Sequence, residues 1–225
     1  MRADRTFPPG GGLARRLAIE PEPDLACAKL PCGAPSCGDL ACPDLAADYF
    51  ALFDLPQRFA IDSEMLAAAW RRLQTLVHPD RFAGGGAAQA RLAMQWSTLV
   101  NTAYRTLRDP LERAAYLCAL RGASVDAERN TAMPAAFLGE QMQWREQLEE
   151  ARDGGDAGQL QALQEEVDER RAQVLARLAQ LLDASTDLAQ AAHQAAAEVR
   201  VLMFIDKFRR DLAAQCARTP SGAAA

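Results

Sequence analysis

The chain lacks what a membrane span needs, because no apolar run reaches the ~18 residues required to cross a bilayer. It also lacks β-branched runs, so a sheet is not expected. Ala, Leu, Gln, Arg and Glu recur instead, and these favour helix. Gly84 to Gly86 is not followed by the Lys-Ser/Thr pair that would make it a phosphate loop. Residues 1 to 20 carry Arg2, Arg5, Arg15 and Arg16 with no apolar segment behind them, and Asp4 and Glu20 argue against a transit peptide. A net charge of −5 argues against broad nucleic-acid binding. The expectation is a cytoplasmic, all-α protein with neither membrane nor nucleic acid as partner.

Enough apolar material is present for packed cores: 49% of the 225 residues are hydrophobic and 24% charged. The charge is unevenly divided. Residues 48 to 121 hold nine arginines against seven acidic side chains, whereas residues 122 to 225 hold eleven basic and seventeen acidic ones. Two electrostatic characters on one chain point to two surfaces with different partners.

Residues 1 to 45 are rich in Gly, Pro and Cys and show no helical period, so they are expected to form a disordered leader. Helical patterning starts at Asp48. Asp48 to Phe53 gives a short apolar helix before Pro56. Asp62 is placed to cap a second helix, whose stripe is Leu66, Trp70, Leu73 and Val77. Arg71, Arg72 and Gln74 fall off that stripe. The helix stops at His78, because Pro79 disfavours a helical residue before it. After a loop, Leu92, Trp96, Leu99, Ala103 and Leu107 form a second stripe, so the two helices should pair antiparallel. Leu111 to Leu120 adds a short helix, and Gly122 to Thr131 reads as a linker. Three amphipathic helices follow: one opening at Pro134 and reaching about Arg152, one carrying Leu160 to Leu181, and one from about Ala184 to Gln215. Short connections imply an antiparallel three-helix bundle, and residues 216 to 225 form a tail.

The distinctive chemistry lies in Val77-His78-Pro79-Asp80-Arg81-Phe82. Pro79 fixes its own φ and stiffens the loop. That stiffness holds His78 and Asp80 outward, and the Asp80 carboxylate can be gripped bidentately by an arginine. Arg71, Arg72 and Arg81 add positive charge beside it. The alternative is an ordinary turn, since Pro and Asp favour turns. No nucleophile or oxyanion-hole motif accompanies His78 and Asp80, so the chain is not read as an enzyme and no cofactor is expected.

This segment resembles the J-domain of the DnaJ family, with His78, Pro79 and Asp80 as its HPD tripeptide, Val100 to Leu107 as its third-helix pattern and Arg108-Asp109-Pro110 as that pattern's ending. The match is closer to one branch. Asp48 to Phe53, Val77 to Phe82, Phe137 to Met142 and Leu202 to Lys207 together are similar to the HscB family, over residues 48 to about 214. The resemblance implies a J-domain at 46–122 and a scaffold-binding bundle at 132–215. It also implies a co-chaperone that binds an IscU-type iron–sulfur scaffold, presents it to an HscA/DnaK-type chaperone and stimulates that chaperone's ATP hydrolysis. His78, Pro79, Asp80, Arg71, Arg72 and Arg81 would meet the chaperone; Leu138, Met142, Phe204 and Glu146 would meet the scaffold. Gly139 stands where the family often has a larger apolar residue. The alternative is a general J-protein that recruits a DnaK-type chaperone to unfolded clients, although the Gly/Phe-rich and zinc-ribbon regions of general DnaJ proteins are missing.

The residues give their own support to the second site. Phe137, Gln141, Trp144 and Leu148 recur at core spacing, while Leu138 and Met142 lie on a neighbouring stripe continued by Glu146 and Glu149, which should face water. Exposed Leu and Met at the end of a polar stripe suit a partner. On the last helix Val199 and Leu202 share one stripe, and Val201, Phe204 and Phe208 share another; all five could be core, or Phe204 could face a partner. Cys27, Cys32, Cys37 and Cys42 recur every five residues. They are the candidates for zinc, but the tight C-x-x-C knuckles are absent, so no metal is expected. A third reading, a metal-handling protein, would rest on them. Cys118 and Cys216 read as helix-packing residues and His193 as solvated.

Overall fold

The computed structural model describes residues 48–78, 80, 86–125 and 133–216. Cys27, Cys32, Cys37, Cys42, Pro79 and Arg81 lie outside them. Among the described residues there are seven helices and no strand: α1 Tyr49–Leu52, α2 Ser63–Val77, α3 Gly86–Arg108, α4 Pro110–Leu120, α5 Ala135–Gly154, α6 Ala157–Asp183 and α7 Leu188–Cys216.

Side-chain caps set several boundaries. Asp48, Asp62, Asp109 and Asp156 each accept two backbone N–H groups at the start of α1, α2, α4 and α6, which satisfies donors that a helix start leaves unpaired. α2 ends at Val77, with His78 extended, as the following proline requires. α4 ends in a Schellman motif. Gly122, at φ +79°, donates to Ala119 O, and Ala123 donates to Cys118 O at 2.8 Å. The supposed linker therefore begins inside the core, since Ala123 and Val125 are both buried. α7 starts at Leu188 and not near Ala184, because the Asp187 carboxylate accepts from Gln190 N at 3.0 Å.

α2 and α3 form the antiparallel hairpin. Leu66, Leu73 and Val77 are buried, as are Trp96, Val100, Ala103 and Leu107 opposite. Trp70 departs from the expected stripe in being only half-buried. Its indole stacks on Tyr104, ring centroids 4.7 Å apart, and donates to Asn101 Oδ1 at 3.1 Å. α1 is fastened to α4 by Tyr49 stacked on Tyr116 at 4.5 Å.

In the bundle, Leu160, Leu163, Val167, Val174, Leu178 and Leu181 of α6 are all buried. α7 packs on α6, on α5 and also on α4. That resolves its two apolar stripes. Val199, Val201, Leu202 and Phe208 are all buried because neighbours cover α7 on several sides, and Phe204 is half-buried. One continuous core runs from the hairpin through α4 into the bundle.

Candidate functional site

Two separate surfaces carry the residues singled out in the sequence. The first is the open end of the hairpin. His78 and Asp80 project from the end of α2, with side chains 55% and 91% exposed. The Asp80 backbone N–H donates to His78 Nδ1 at 3.3 Å, and the Asp80 carboxylate stands 3.6 Å from the same nitrogen. An unprotonated Nδ1 accepts the backbone hydrogen; a protonated one is the partner of the carboxylate. In either state the imidazole and the carboxylate form one compact unit whose outer atoms face solvent.

Arg71 and Arg72 are both exposed on α2. Arg72 is already engaged, with Nη2 2.8 Å from Asp54 Oδ2. The local frame is held by Asn101, whose Oδ1 accepts from both Trp70 Nε1 and Gln74 Nε2, the latter at 2.6 Å. In the sequence Asn101 is one residue of the Val100 to Leu107 pattern, with nothing to mark it out. Its role as a latch across the hairpin becomes visible when α2 and α3 are paired.

The second surface is on α5. Phe137 and Trp144 point into the core, whereas Leu138 and Met142 are 47% and 65% exposed. Glu146 and Glu149 follow them into water. Gly139 sits between them, and a side chain added there would meet nothing within 4 Å. Glu140 turns away from this face, its carboxylate 2.7 Å from Arg170 Nε on α6. Trp144 donates to Glu166 Oε1 at 2.8 Å. These two polar contacts fix the rotation of α5 on α6 and so keep Leu138 and Met142 outward.

Phe204 packs against α5 from α7. It meets Phe137 edge to face at 5.5 Å and stacks with Phe208 at 6.3 Å; Phe208 in turn stacks with Trp144 at 5.6 Å. Phe204 is thus packed on one side of its ring and accessible on part of it. The structure packs Phe204 of α7 against Phe137 of α5, the helix that carries Leu138 and Met142, and places His78 and Asp80 elsewhere, on the hairpin.

Among the described residues no group of His, Cys, Asp or Glu is arranged to hold a metal, and no helix is long and apolar enough to cross a membrane. His193 is exposed, Cys118 buried and Cys216 half-buried.

A family model described as the HSCB C-terminal oligomerisation domain matches residues 133–213. A co-chaperone protein HscB homolog of Burkholderia thailandensis is 53% identical over 172 residues, covering 76% of this chain and 94% of its own. A homolog of the same description from Burkholderia multivorans is 54% identical over the same length. Among solved structures, the chaperone HscB from Vibrio cholerae is 35% identical with a TM-score of 0.64, over 77% of this chain and 99% of that one. Human co-chaperone protein HscB is 27% identical with a TM-score of 0.69, over 81% and 88%. With a J-type hairpin joined to a three-helix bundle, and with identity of this level along nearly the full length of its relatives, the chain belongs to the HscB family of co-chaperones.

Proposed function

We propose that the protein acts in iron–sulfur cluster assembly in the cytoplasm, binding an IscU-type scaffold on the bundle and delivering it to an HscA/DnaK-type chaperone whose ATP hydrolysis it stimulates. It performs no chemistry itself and needs no cofactor. The observation that carries this reading is the placement of two unlike surfaces on one chain: a charged, exposed His78/Asp80 tip and an exposed apolar pair, Leu138 and Met142, on a different helix. His78, Pro79, Asp80, Arg71, Arg72 and Arg81 serve the chaperone. Leu138, Met142 and the accessible part of Phe204 serve the scaffold, with Glu146 as a polar contact at the rim.

An apolar centre with a polar rim is the usual anatomy of a partner site, and methionine is among the residues enriched there. The test is a pair of assays on three proteins. Leu138→Ala/Met142→Ala should lose scaffold binding and keep ATPase stimulation; His78→Gln should do the reverse; wild type should do both. A wild-type protein that stimulates the ATPase but binds unfolded clients in place of the scaffold would favour the general J-protein reading.

A further inference from the structure

The hairpin and the bundle are joined by two kinds of contact. One is apolar. α4 lies against α7, and both helices bury small residues, Ala114, Ala115 and Cys118 on α4 and Ala191, Ala192, Ala195 and Ala196 on α7. Small side chains let two helices approach closely, and packing of this kind, with Leu117, Val199 and Leu202 also buried, supplies no directional bond of its own. The second kind is polar and directional. Asp183, the last residue of α6, reaches into the segment between α1 and α2, where its Oδ1 accepts from Phe59 N at 2.6 Å and its Oδ2 from Ala60 N at 2.8 Å. Arg121, just after α4, returns the grip by donating to Leu182 O at 2.8 Å. Arg113 lies over the Phe59 ring, 5.1 Å from its centroid.

A carboxylate using both oxygens on two successive backbone amides fixes direction as well as distance, and charge-assisted bonds of this kind are about twice as strong as neutral ones. Phe59 itself is buried, so the segment it belongs to is not free to give.

We propose that Asp183 is a positioning residue that locks the angle between hairpin and bundle, so that a chaperone docked at His78 and a scaffold held at Leu138 and Met142 meet in one geometry. This rests on the function proposed above. Two linked sites reinforce each other only where the connection lets both be engaged at once. Loosening the lock should therefore leave each single interaction intact and weaken the joint one.

The experiment uses the full chain with Asp183→Asn and Asp183→Ala. Asn is the milder change, leaving one acceptor for two donors; Ala removes both. Residual dipolar couplings report the relative orientation of hairpin and bundle without any partner. Scaffold affinity, ATPase stimulation without scaffold and ATPase stimulation with purified IscU-type scaffold are measured in parallel. In the variants the couplings of the two parts should cease to fit one common alignment. Scaffold affinity and scaffold-free stimulation should stay within about twofold of wild type, and joint stimulation should fall about fivefold or more, as expected when coupling contacts are removed. Couplings that still fit a single alignment in Asp183→Ala overturn the lock. A lost common alignment with full joint stimulation overturns its functional role. A wild-type protein that fails to bind scaffold overturns the function proposed above, and the couplings then still decide the lock by themselves.

Discussion

Phe204 meets Phe137 edge to face, with ring centroids 5.5 Å apart, and Phe137 is the residue immediately before the exposed Leu138. Together with Trp144 stacked on Phe208, this ring pair ties the last helix to the helix that carries the apolar patch. Phe204→Ala is therefore expected to act twice. It should cost about 1–3 kcal/mol of stability, less than the ~3–5 kcal/mol of a fully buried phenylalanine, and it should weaken scaffold binding about tenfold or more. Thermal unfolding and titration calorimetry on the same sample separate the two effects. Unchanged affinity in a folded variant would remove Phe204 from the site.

His78→Gln should leave circular dichroism and unfolding temperature as in wild type, because His78 is exposed and makes no core contact. Stimulation of the partner ATPase should disappear. Full stimulation by the variant would mean that the hairpin tip is not the docking element.

Reversing Arg71 to Glu should slow association with the chaperone, and added salt should weaken the wild-type complex. The same change at Arg72 should have a smaller docking effect relative to its structural one, because that guanidinium is already 2.8 Å from Asp54. Stopped-flow association at two ionic strengths checks both points. A wild-type rate insensitive to salt would count against charge steering.

Gly139 is a helix-interior glycine with open space where its Cβ would be. Gly139→Ala should stabilise the protein by up to ~1 kcal/mol through helix propensity alone. Gly139→Met should also extend the apolar pair Leu138 and Met142 and tighten scaffold binding. Denaturant titration reads the first effect and an affinity measurement the second. Weaker binding by a stable Gly139→Met variant would show that the partner needs the gap.

Alkaline pH should destabilise the fold. Burial raises the Cys118 thiol from an ordinary value near 9 to about 11, against a smaller opposing influence of Arg121. Tyr116 is pushed up to about 12, again mainly by burial. The native state thus keeps its Cys118 proton where the unfolded chain has lost it. Stability is fully present below pH ~9 and falls through pH ~11, by on the order of 2–3 kcal/mol for the cysteine. Urea unfolding at pH 8 and pH 10.5 should show the loss, and Cys118→Ala should reduce it. An equal loss in Cys118→Ala would assign the effect to other groups.

Much of this was legible in the residues. Leu66, Leu73 and Val77, or Leu160 to Leu181, repeat at a period that only a helix buries, and these two helices pair with the ones that follow them, α3 and α7. Leu138 and Met142 stood out because Phe137 and Trp144 had already claimed the inward face. What could not be read were contacts between distant parts. Trp70 looked like core until Asn101 and Tyr104 came alongside, and Phe204 could not be placed from one helix alone. Asp183 resembled any helix-end carboxylate, since its partners, Phe59 and Ala60, are more than a hundred residues away. Periodicity describes one helix at a time and carries no record of which third element will cover it.

Because α7 is covered by α4 as well as by α5 and α6, the side of α4 that faces α7 has no cover until Leu188 to Leu212 have been synthesised, although α3 and Tyr49 already pack on its other side. On a translating ribosome the α2–α3 hairpin can close early through local contacts, but the α7-facing side of α4 must wait for a helix roughly eighty residues downstream, and long-range contacts of this kind form slowly. The tip at His78 is thus finished before the platform behind it. A half-made chain already displays the loop proposed for the chaperone while the bundle proposed for the scaffold is still being assembled.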